Sequence, residues 1–326
     1  MTSGRRPYGL VSLVALLVGL AGHAGAETYP AKPIRLIVAD AAGGAPDQLA
    51  RIVGQRLADG LGQPVVVDNR PGAAGALGAE IVAHAPADGY SLLLATTAIY
   101  AILPHLRKTL PYDPVADFVA ISRIATASNV LVINTSLPAR SVAELVQLAS
   151  SKPGALNYAS AGIGTPAHLA GEMLNLLAGV KLTHVPYKGA APALLDVIAG
   201  DVQLIITSPI AAGAHMTGAR VRALATTGSQ RDPNLPELPT IAETVRGYEI
   251  TQSWGVVARA GTPATIITRL SEEIVRVMNR PDVKAQVLKA GAVPAGGSAD
   301  AFAAFMATER QRLGEVIAKA AIVLAD

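Results

Sequence analysis

Short apolar runs alternate with segments of helical periodicity along most of this 326-residue chain. The first pair is a β-branched run over residues 34–38 and a stretch over 47–61, in which Leu49, Val53 and Leu57 recur at helical spacing. Runs that are apolar throughout are typical of strands buried on both faces of a mostly parallel sheet. The alternation therefore predicts an α/β fold. Further strands are predicted over residues 64–68, 91–95, 130–134, 156–160, 202–206, 221–225 and 254–257, and further helices over 141–150, 166–178, 192–199, 263–278 and 299–320.

The strands and helices fall into two sets. The second set begins near Val130, and after a proline-rich loop over residues 234–239 the last third of the chain adds a strand and two long helices. We predict two α/β domains, with the last third returning to the first domain. Folds of this kind bind ligands at the carboxyl ends of strands and in the crevice between domains.

The first 26 residues have the order of a secretory signal peptide. Arg5 and Arg6 precede an apolar stretch over residues 10–20, and Ala24-Gly25-Ala26 supplies an A-x-A cleavage site. A membrane anchor is the alternative, but the apolar stretch is shorter than the roughly 20 residues that a spanning helix needs. We expect cleavage after Ala26 and export to the periplasm.

Composition narrows the function classes. Hydrophobic residues make up 51% of the chain and charged residues 16%, which allows a large core. Aromatic residues make up only 4%, and the lysines and arginines are scattered, so we expect no nucleic-acid partner. The absence of cysteine excludes disulfides, thiol nucleophiles and cysteine-ligated metals. We predict no metal site, because after cleavage no histidine stands in an H-x-H or H-E-x-x-H arrangement.

Three loops between a predicted strand and a helix are rich in glycine and alanine. They cover residues 41–47, 69–75 and 160–166. Glycine lets the backbone approach a ligand closely, and a helix N-terminus attracts anions, so each loop is a candidate anion site. The alternative for each loop is tight packing of a helix against a strand.

Two sequence patterns come close to known motifs without matching them. Gly72, Gly75 and Gly78 have the spacing G-x-x-G-x-x-G, which is not the dinucleotide fingerprint. The segment around Ser160 is a near miss to the G-x-S-x-G nucleophile motif, and His168 or His184 could act as the base. A serine hydrolase using Ser160 is therefore the enzyme alternative.

Several segments, in order along the chain, carry a resemblance to a known family. They are residues 29–34 (YPAKPI), the loop with Gly43, Gly44 and Asp47, residues 61–75 (LGQPVVVDNRPGAAG), 88–90 (DGY), 110–114 (LPYDP), 156–160 (LNYAS), 164–172 (GTPAHLAGE), 184–189 (HVPYKG) and 238–243 (LPTIAE). Together they resemble the Bug family, the periplasmic solute-binding proteins of tripartite tricarboxylate transporters.

The resemblance implies a two-lobed periplasmic-binding-protein fold, type II-like, in which each lobe is a mostly parallel sheet flanked by helices and the ligand cleft lies between the lobes. Lobe 1 would comprise residues 27–130 and 253–326, and lobe 2 residues 131–252, with hinge segments near 126–132 and 250–256. The resemblance further implies a monomeric, non-enzymatic receptor without a cofactor, which captures a small carboxylate-bearing solute for membrane permease subunits. A ligand sensor for a membrane receptor is a further alternative.

In the family, loops corresponding to residues 39–47 and 160–168 grip the carboxylates of the ligand. The resemblance therefore assigns ligand binding to both loops, and we add three residues at strand ends and in the P-Y-K-G turn as part of the cleft lining. The predicted ligand-binding residues are Asp40, Ala42, Gly43, Gly44, Asp47, Thr97, Ser160, Gly162, Gly164, Thr165, His168, Tyr187 and Thr207.

The chain departs from the family pattern in ways that bear on the ligand. Asp40 lies among alanines where relatives usually carry an aromatic residue with prolines, and Thr207 and Ser208 stand where an Asp is frequent. Pro46 replaces a common Thr or Ser. We hypothesise that Asp40 faces the cleft and favours a ligand with an amine, an amide or another hydrogen-bond donor besides its carboxylate. The alternative is that Asp40 points to solvent or caps the neighbouring turn.

Overall fold

The computed structural model describes Met1, residues 29–187, 189–216 and 218–319, and Ile322. Apart from Met1, the predicted signal peptide over residues 1–26 lies outside the described residues. Among the described helices, none combines the length and the apolar character needed to cross a membrane.

The described chain folds into two β-sheets, each flanked by helices. The first part contains β1 (Ile34–Val38), α1 (Ala45–Leu61), β2 (Val65–Asn69), α2 (Ala76–Ala83), β3 (Ser91–Thr96), α3 (Leu103–Leu106) and β4 (Phe118–Ser128). The middle contains β5 (Val130–Asn134), α4 (Val142–Ser151), β6 (Asn157–Ser160), α5 (Pro166–Ala178), β7 (Thr183–Pro186), α6 (Ala190–Ala199), β8 (Leu204–Thr207), α7 (Pro209–Met216) and β9 (Val221–Thr226). The last part contains β10 (Thr251–Arg259), α8 (Ala264–Met278), α9 (Pro281–Lys289), β11 (Val293–Pro294) and α10 (Ala299–Lys319).

Both sheets are mixed. The first sheet has the order β11-β4-β10-β3-β1-β2, and the second has the order β7-β6-β8-β5-β9. Strand β1 runs parallel to β2 and β3, and β6 runs parallel to β7 and β8. In contrast, β10 runs antiparallel to β3 and β4, and β5 runs antiparallel to β8 and β9. The predicted α/β fold is confirmed: in each sheet most of the described strands point the same way, and only β10 and β11 in the first sheet and β5 in the second run against them.

The reversed strands follow from the way the chain passes between the sheets. Strand β4 ends at the carboxyl edge of the first sheet, and β5 begins two residues later, opposite Thr207 at the carboxyl end of β8. Strand β10 returns in the same way, because its first residue, Thr251, pairs with Ser128. A chain that enters a sheet at its carboxyl edge must run against the parallel strands already there.

Apolar residues alternate between the faces of both sheets. On β1, Leu36 and Val38 pack against α1 and α8 in one cluster, whereas Ile37 faces a second cluster. On β5, Leu131 belongs to that second cluster, and Val132 belongs to a third one on the opposite face of the second sheet. The second cluster is continuous across residues of both sheets, so a shared apolar core joins the two halves of the structure.

Candidate functional site

The loops that follow the parallel strands of both sheets project toward the place where the chain crosses. Strands β1, β2 and β3 end at the same edge as β4, and β6 and β8 end at the same edge as β9. The crossings leave and enter at these two edges. The glycine-rich loops of the first and second sheets therefore surround one crossing point, which is the position expected for a ligand site in such folds.

The first loop, residues 39–44, leads into α1 and is held by Asp47. The backbone N–H of Gly43 donates to Asp47 Oδ2 at 2.9 Å, and Arg51 donates from Nε to the same oxygen at 3.1 Å. Burial alone would raise the pKa of Asp47, but the hydrogen bonds from Arg51, Gly43 and Asn69 outweigh it and lower the pKa. The carboxylate of Asp47 is thus occupied in holding the loop, while Ala42, Gly43 and Gly44 are exposed.

Asp40 lies in the first loop, and its surroundings differ from those of Asp47 in the first turn of α1. Its backbone carbonyl accepts a hydrogen bond from Asn69 Nδ2 at 3.1 Å, which fixes the residue at the carboxyl edge of the first sheet. Its side chain is partly buried, and burial raises its pKa. Within the described ranges, no hydrogen bond or ion pair reaches its carboxylate, so the alternative that Asp40 caps a turn has no support there.

The loop over residues 70–75 serves packing. Four consecutive residues have positive φ: Gly72 (144°), Ala73 (50°), Ala74 (56°) and Gly75 (98°). Left-handed backbone costs roughly 1–2 kcal/mol for a residue with a side chain, so surrounding contacts must hold Ala73 and Ala74 in place. A Cβ on Gly75 would stand 3.0 Å from Ile99 Cγ1, and one on Gly78, in the helix α2 that follows, would stand 2.6 Å from the Cβ of Ala39. Of the three glycine-rich loops, this one thus shows the tight packing of a helix against a strand that was the alternative to an anion site.

The second loop, residues 161–165, is built around the end of β6. The Gly162 N–H donates to Ser160 Oγ at 3.1 Å, and the Thr165 hydroxyl donates to the Gly162 carbonyl at 2.7 Å. Thr165 also caps α5 by accepting from the His168 N–H at 3.3 Å, and the Gly164 N–H donates to His168 Nδ1 at 3.3 Å. The predicted residues on this loop are therefore brought together in one hydrogen-bonded turn.

The rings of Tyr158, His184 and His168 form a stack next to the second loop. His184 lies between Tyr158 and His168, with ring centroids 4.8 Å and 4.1 Å away, and its Nε2 is 2.7 Å from Ser160 Oγ. Burial, followed by the nearby His168, lowers the pKa of His184 to about 4, and burial also lowers the pKa of His168. Both imidazoles are therefore neutral near pH 7.

The surroundings of Ser160 bear on the hydrolase alternative. Ser160 has no exposed surface, and its hydroxyl is hydrogen-bonded within the loop and to His184. In the part of the chain that the structure describes, no carboxylate is hydrogen-bonded to His184 Nδ1. A catalytic triad needs an accessible nucleophile and a base oriented by a third group, and this arrangement provides neither.

Three predicted lining residues lie outside the two loops: Thr97, Tyr187 and Thr207. The structure gives hydrogen-bond partners within the protein for the hydroxyls of the first two and buries the third. Thr97 is buried, and its Oγ1 accepts from the Ser253 N–H at 2.9 Å. The Tyr187 hydroxyl donates to Asp196 Oδ2 on α6 at 2.6 Å. Thr207 is buried at the end of β8. Contact of any of these residues with a ligand stays a prediction, as it does for the loop residues.

Sequence reasoning missed the polar residues of the crossing point. The Asn129 N–H donates to Thr227 Oγ1 at 2.8 Å, and Gln252 Nε2 donates to Asn129 Oδ1 at 2.8 Å. Asn129 Nδ2 and Thr226 Oγ1 are buried, with no hydrogen-bond partner among the described residues. The available signal was Asn129, which follows Thr126 and Ser128 and precedes the apolar run over residues 130–133; an unsatisfied buried polar group calls for an explanation.

No cluster of three acidic or histidine side chains able to hold a metal ion occurs among the described residues.

Residues 49–322 match the model of the TctC family, the tripartite tricarboxylate transporter family receptor. The chain belongs to this family. The function predicted from the sequence, a receptor of the tripartite tricarboxylate transporter type, is thereby confirmed at the level of the family.

Sequence relatives of this TctC-family receptor support the same family assignment. It is 38% identical over 293 residues to the UPF0065 protein in the tcbD-tcbE intergenic region of Pseudomonas sp. (strain P51), covering 89% of this chain and 87% of that protein. It is 34% identical over 314 residues to Protein BugT of Bordetella pertussis (strain Tohama I), covering 96% of each chain. The predicted resemblance to the Bug family is confirmed.

Solved structures resemble the TctC-family receptor over most of its length. The structure of Rpa4515 of R. palustris with adipate has a TM-score of 0.82 and 36% sequence identity to this chain. The structure of the periplasmic binding protein BugD has a TM-score of 0.78 and 31% identity. Both matches cover 91% of this chain and 100% of the solved chain. The structure of MatC (Rpa3494) from Rhodopseudomonas palustris with bound malate has a TM-score of 0.76 and 28% identity, and the match covers 89% of this chain and 100% of that one. The predicted two-lobed fold of solute-binding proteins is confirmed.

Proposed function

We propose that this receptor captures a small carboxylate-bearing solute between its two lobes. The observation that carries the proposal is the convergence of two glycine-rich loops, each leading into a helix, on the crossing point of the sheets. Gly44 at the N-cap of α1 has no side chain to cap the helix, and Pro46 has no N–H, so the N–H groups of Ala45 and Asp47 are the ones that could bind a ligand oxygen. Two of the similar proteins hold adipate and malate, which are both dicarboxylates.

Ligand binding closes the lobes about the two crossings. The proposed lobes are residues 27–130 with 253–326 and residues 131–252, and the proposed hinges lie near 126–132 and 250–256. The Thr227 N–H donates to the Asn129 carbonyl at 2.9 Å, and the Ile250 N–H donates to the Thr227 carbonyl at 2.9 Å, so both hinges meet in one bonded group. Few residues absorb the change in such a closure.

The receptor acts in the periplasm and delivers its solute, as a monomer, to the permease subunits of the transporter. The predicted signal peptide supports this location, and the similar protein BugD is a periplasmic binding protein. Capture and release need no covalent step, and the burial of Ser160 supports a non-enzymatic role. Recovery of permease subunits together with the receptor separates transport from the alternative of a ligand sensor.

The test is ligand-dependent stabilisation of the mature protein after refolding to remove bound solute. A ligand at a hundredfold excess over its Kd adds about 2.7 kcal/mol, which raises the melting temperature by about 2–4 °C per kcal/mol. The probes are succinate, malate, adipate, citrate, aspartate and glutamate. If no probe produces a shift, carboxylate binding is wrong.

A matched pair of variants tests the first loop. Gly43 and Gly179 both have positive φ, 86° and 64°, and a Cβ at either would meet no other atom within 4 Å. Gly43→Ala and Gly179→Ala therefore introduce similar backbone strain, but only Gly43 lies in the proposed site. We expect Gly43→Ala to weaken carboxylate binding and Gly179→Ala to leave it unchanged. Equal affinities in the two variants would remove the first loop from the site.

A further inference from the structure

The second loop is held by an imidazole nitrogen that carries no proton. The Gly164 N–H donates to His168 Nδ1 at 3.3 Å. A backbone amide can only donate, so Nδ1 must accept, and the single proton of the neutral ring lies on Nε2. His168 is 6% exposed, so water has little access to replace this bond. The hydrogen bond therefore exists only while His168 is neutral.

The same residue also anchors the loop through its backbone. The Thr165 hydroxyl accepts from the His168 N–H at 3.3 Å and donates to the Gly162 carbonyl at 2.7 Å. This second contact does not depend on the charge of the ring. Loss of the ring contact therefore frees the loop at Gly164 and leaves the cap of α5 in place.

Three titratable side chains lie close to His168. His184 on β7 stacks on its ring with the centroids 4.1 Å apart, and the Tyr158 hydroxyl on β6 reaches the His168 carbonyl at 3.3 Å. Glu172, one turn further along α5, accepts a hydrogen bond from the Tyr158 hydroxyl at 2.6 Å. The surroundings of His168 thus combine a second imidazole with one carboxylate.

Two further elements pack against α5. Strand β8 carries no titratable side chain over Leu204–Thr207. On α10, Glu309 and Arg312 pair with each other, with Arg312 Nη2 2.8 Å from Glu309 Oε2. The hydroxyl of Tyr248 donates to the Ala170 carbonyl of α5 at 2.9 Å. Glu172 is therefore the charge that acts on His168, and it favours a proton on the ring.

A proton on Nδ1 would set two donors against each other. The N–H of the charged ring and the N–H of Gly164 would point at the same place, so their hydrogen bond is lost. Burial lowers the pKa of His168, and Glu172 partly opposes this effect. A charge on His168 in turn lowers the pKa of the stacked His184. The ring stack therefore takes up its first proton at His168.

We propose that His168 is the positioning residue of the second loop, and that a proton taken up on its Nδ1 releases the loop at Gly164 and lowers the affinity for the solute. This inference rests on the proposed function, because it makes the second loop part of the solute site. His168 acts here through Gly164, whether or not its ring touches the solute.

The sign of the pH dependence distinguishes this role from simple charge attraction. A solute that binds only to the ordered loop must expel the proton, so its Kd rises as the pH falls. Below the midpoint, each pH unit raises Kd about tenfold for one expelled proton. A charged ring that merely attracted a carboxylate would do the opposite and strengthen binding in acid.

The first test measures Kd by isothermal titration calorimetry between pH 7.5 and 4.5. The probes are L-malate and adipate, and the proteins are the refolded mature wild type, His168→Gln and His84→Gln. A glutamine oxygen can accept the Gly164 N–H but takes up no proton. The ratio of the wild-type Kd to the His168→Gln Kd at each pH cancels the protonation of the solute itself. We expect this ratio to rise about tenfold per pH unit below the midpoint.

His84→Gln is the matched control, because His84 is exposed and contacts only the Glu80 carbonyl of its own helix. The ratio of the wild-type Kd to the His84→Gln Kd should not change with pH.

The second test changes the charge beside His168. Glu172→Gln keeps an oxygen that can accept from Tyr158 and removes the negative charge, so the rise in Kd should begin at a lower pH than in the wild type. A purely structural role of His168 would leave the midpoint where it is. In solute-free NMR spectra of the wild type, the Gly164 amide and the His168 ring nitrogens should titrate with one common midpoint.

The outcomes separate this proposal from the proposed function. If the wild-type to His168→Gln ratio stays constant or falls in acid, the positioning role is wrong and carboxylate capture stands. If no carboxylate probe binds at pH 7.5, the proposed function fails; the NMR titration then decides on His168, and a Gly164 amide that does not follow the ring overturns its role. If His168→Gln does not fold, the comparison of Glu172→Gln with the wild type decides, and an unchanged midpoint overturns the proposal.

Discussion

Acidification should destabilise the receptor through the ring stack beneath the second loop. In the folded state His184 is neutral because burial, and then the neighbouring His168, lowers its pKa from 6.5 to about 4. The unfolded chain binds this proton more readily, so folding stability is complete above pH 6.5 and falls as the pH drops from 6.5 toward 4. Glu172 near His168 acts in the opposite sense on that ring, because its negative charge favours protonation.

The magnitude follows from the two pKa values. At pH 5, proton linkage at His184 amounts to about 2 kcal/mol of lost stability. Because the ring is only partly buried, solvent screening reduces this figure to about 1 kcal/mol. For a protein of this size, that loss lowers the melting temperature by about 2–4 °C.

The assay is thermal unfolding of the wild type and His184→Gln between pH 7.5 and 4.5. Glutamine can still hydrogen-bond to Ser160 but does not titrate, so its melting temperature should fall about 2–4 °C less over this range. His84→Gln is the control, because His84 is exposed and its Nδ1 contacts only the Glu80 carbonyl of its own helix. Parallel pH profiles for the wild type and His184→Gln would refute the reasoning.

Two further substitutions test the packing of the second loop. A Cβ on Gly171 would overlap the ring of Tyr158, so Gly171→Ala should destabilise the protein by about 1–3 kcal/mol in chemical denaturation, whereas Gly213→Ala, where a Cβ would meet nothing within 4 Å, should be neutral or stabilising. Thr165→Ala removes the cap on the His168 N–H and should cost about 1 kcal/mol in the same measurement; no loss of stability would mean that water replaces the cap.

The parts of the fold that were predicted are those whose signal is local. Strands β1, β3 and β5 are mostly apolar, and the sequence predicted each of them within one residue of its observed ends. Strand β4 was missed, although it is eleven residues long, because Ser122 and Arg123 interrupt its apolar pattern. The Ser122 hydroxyl donates to the Gly297 carbonyl at 2.7 Å. This partner is 175 residues away, so a local sequence pattern could not predict it. Strand direction was also unreadable, because a strand buried on both faces has the same composition in either orientation.

In the candidate site, too, features set by neighbouring residues were predicted, and features set by distant contacts were not. The glycine and alanine content predicted the loops, since turn geometry depends on neighbouring residues. The engagement of Thr97 with Ser253, 156 residues further along, depends on the topology of the sheet. His184 was singled out only as a candidate base, and its stacking between two rings became visible in three dimensions.

The bonded crossings restrict how the two halves can move. Asn129, Thr227 and Ile250 join the outgoing and the returning chain by backbone hydrogen bonds, so neither connection can twist by itself. For the proposed closure, we therefore expect rotation of the two halves about a single axis, with little sliding or splaying. The outer shape offered to the proposed permease partner would then vary along one coordinate, and a solute held by both loops, as proposed, would set its value.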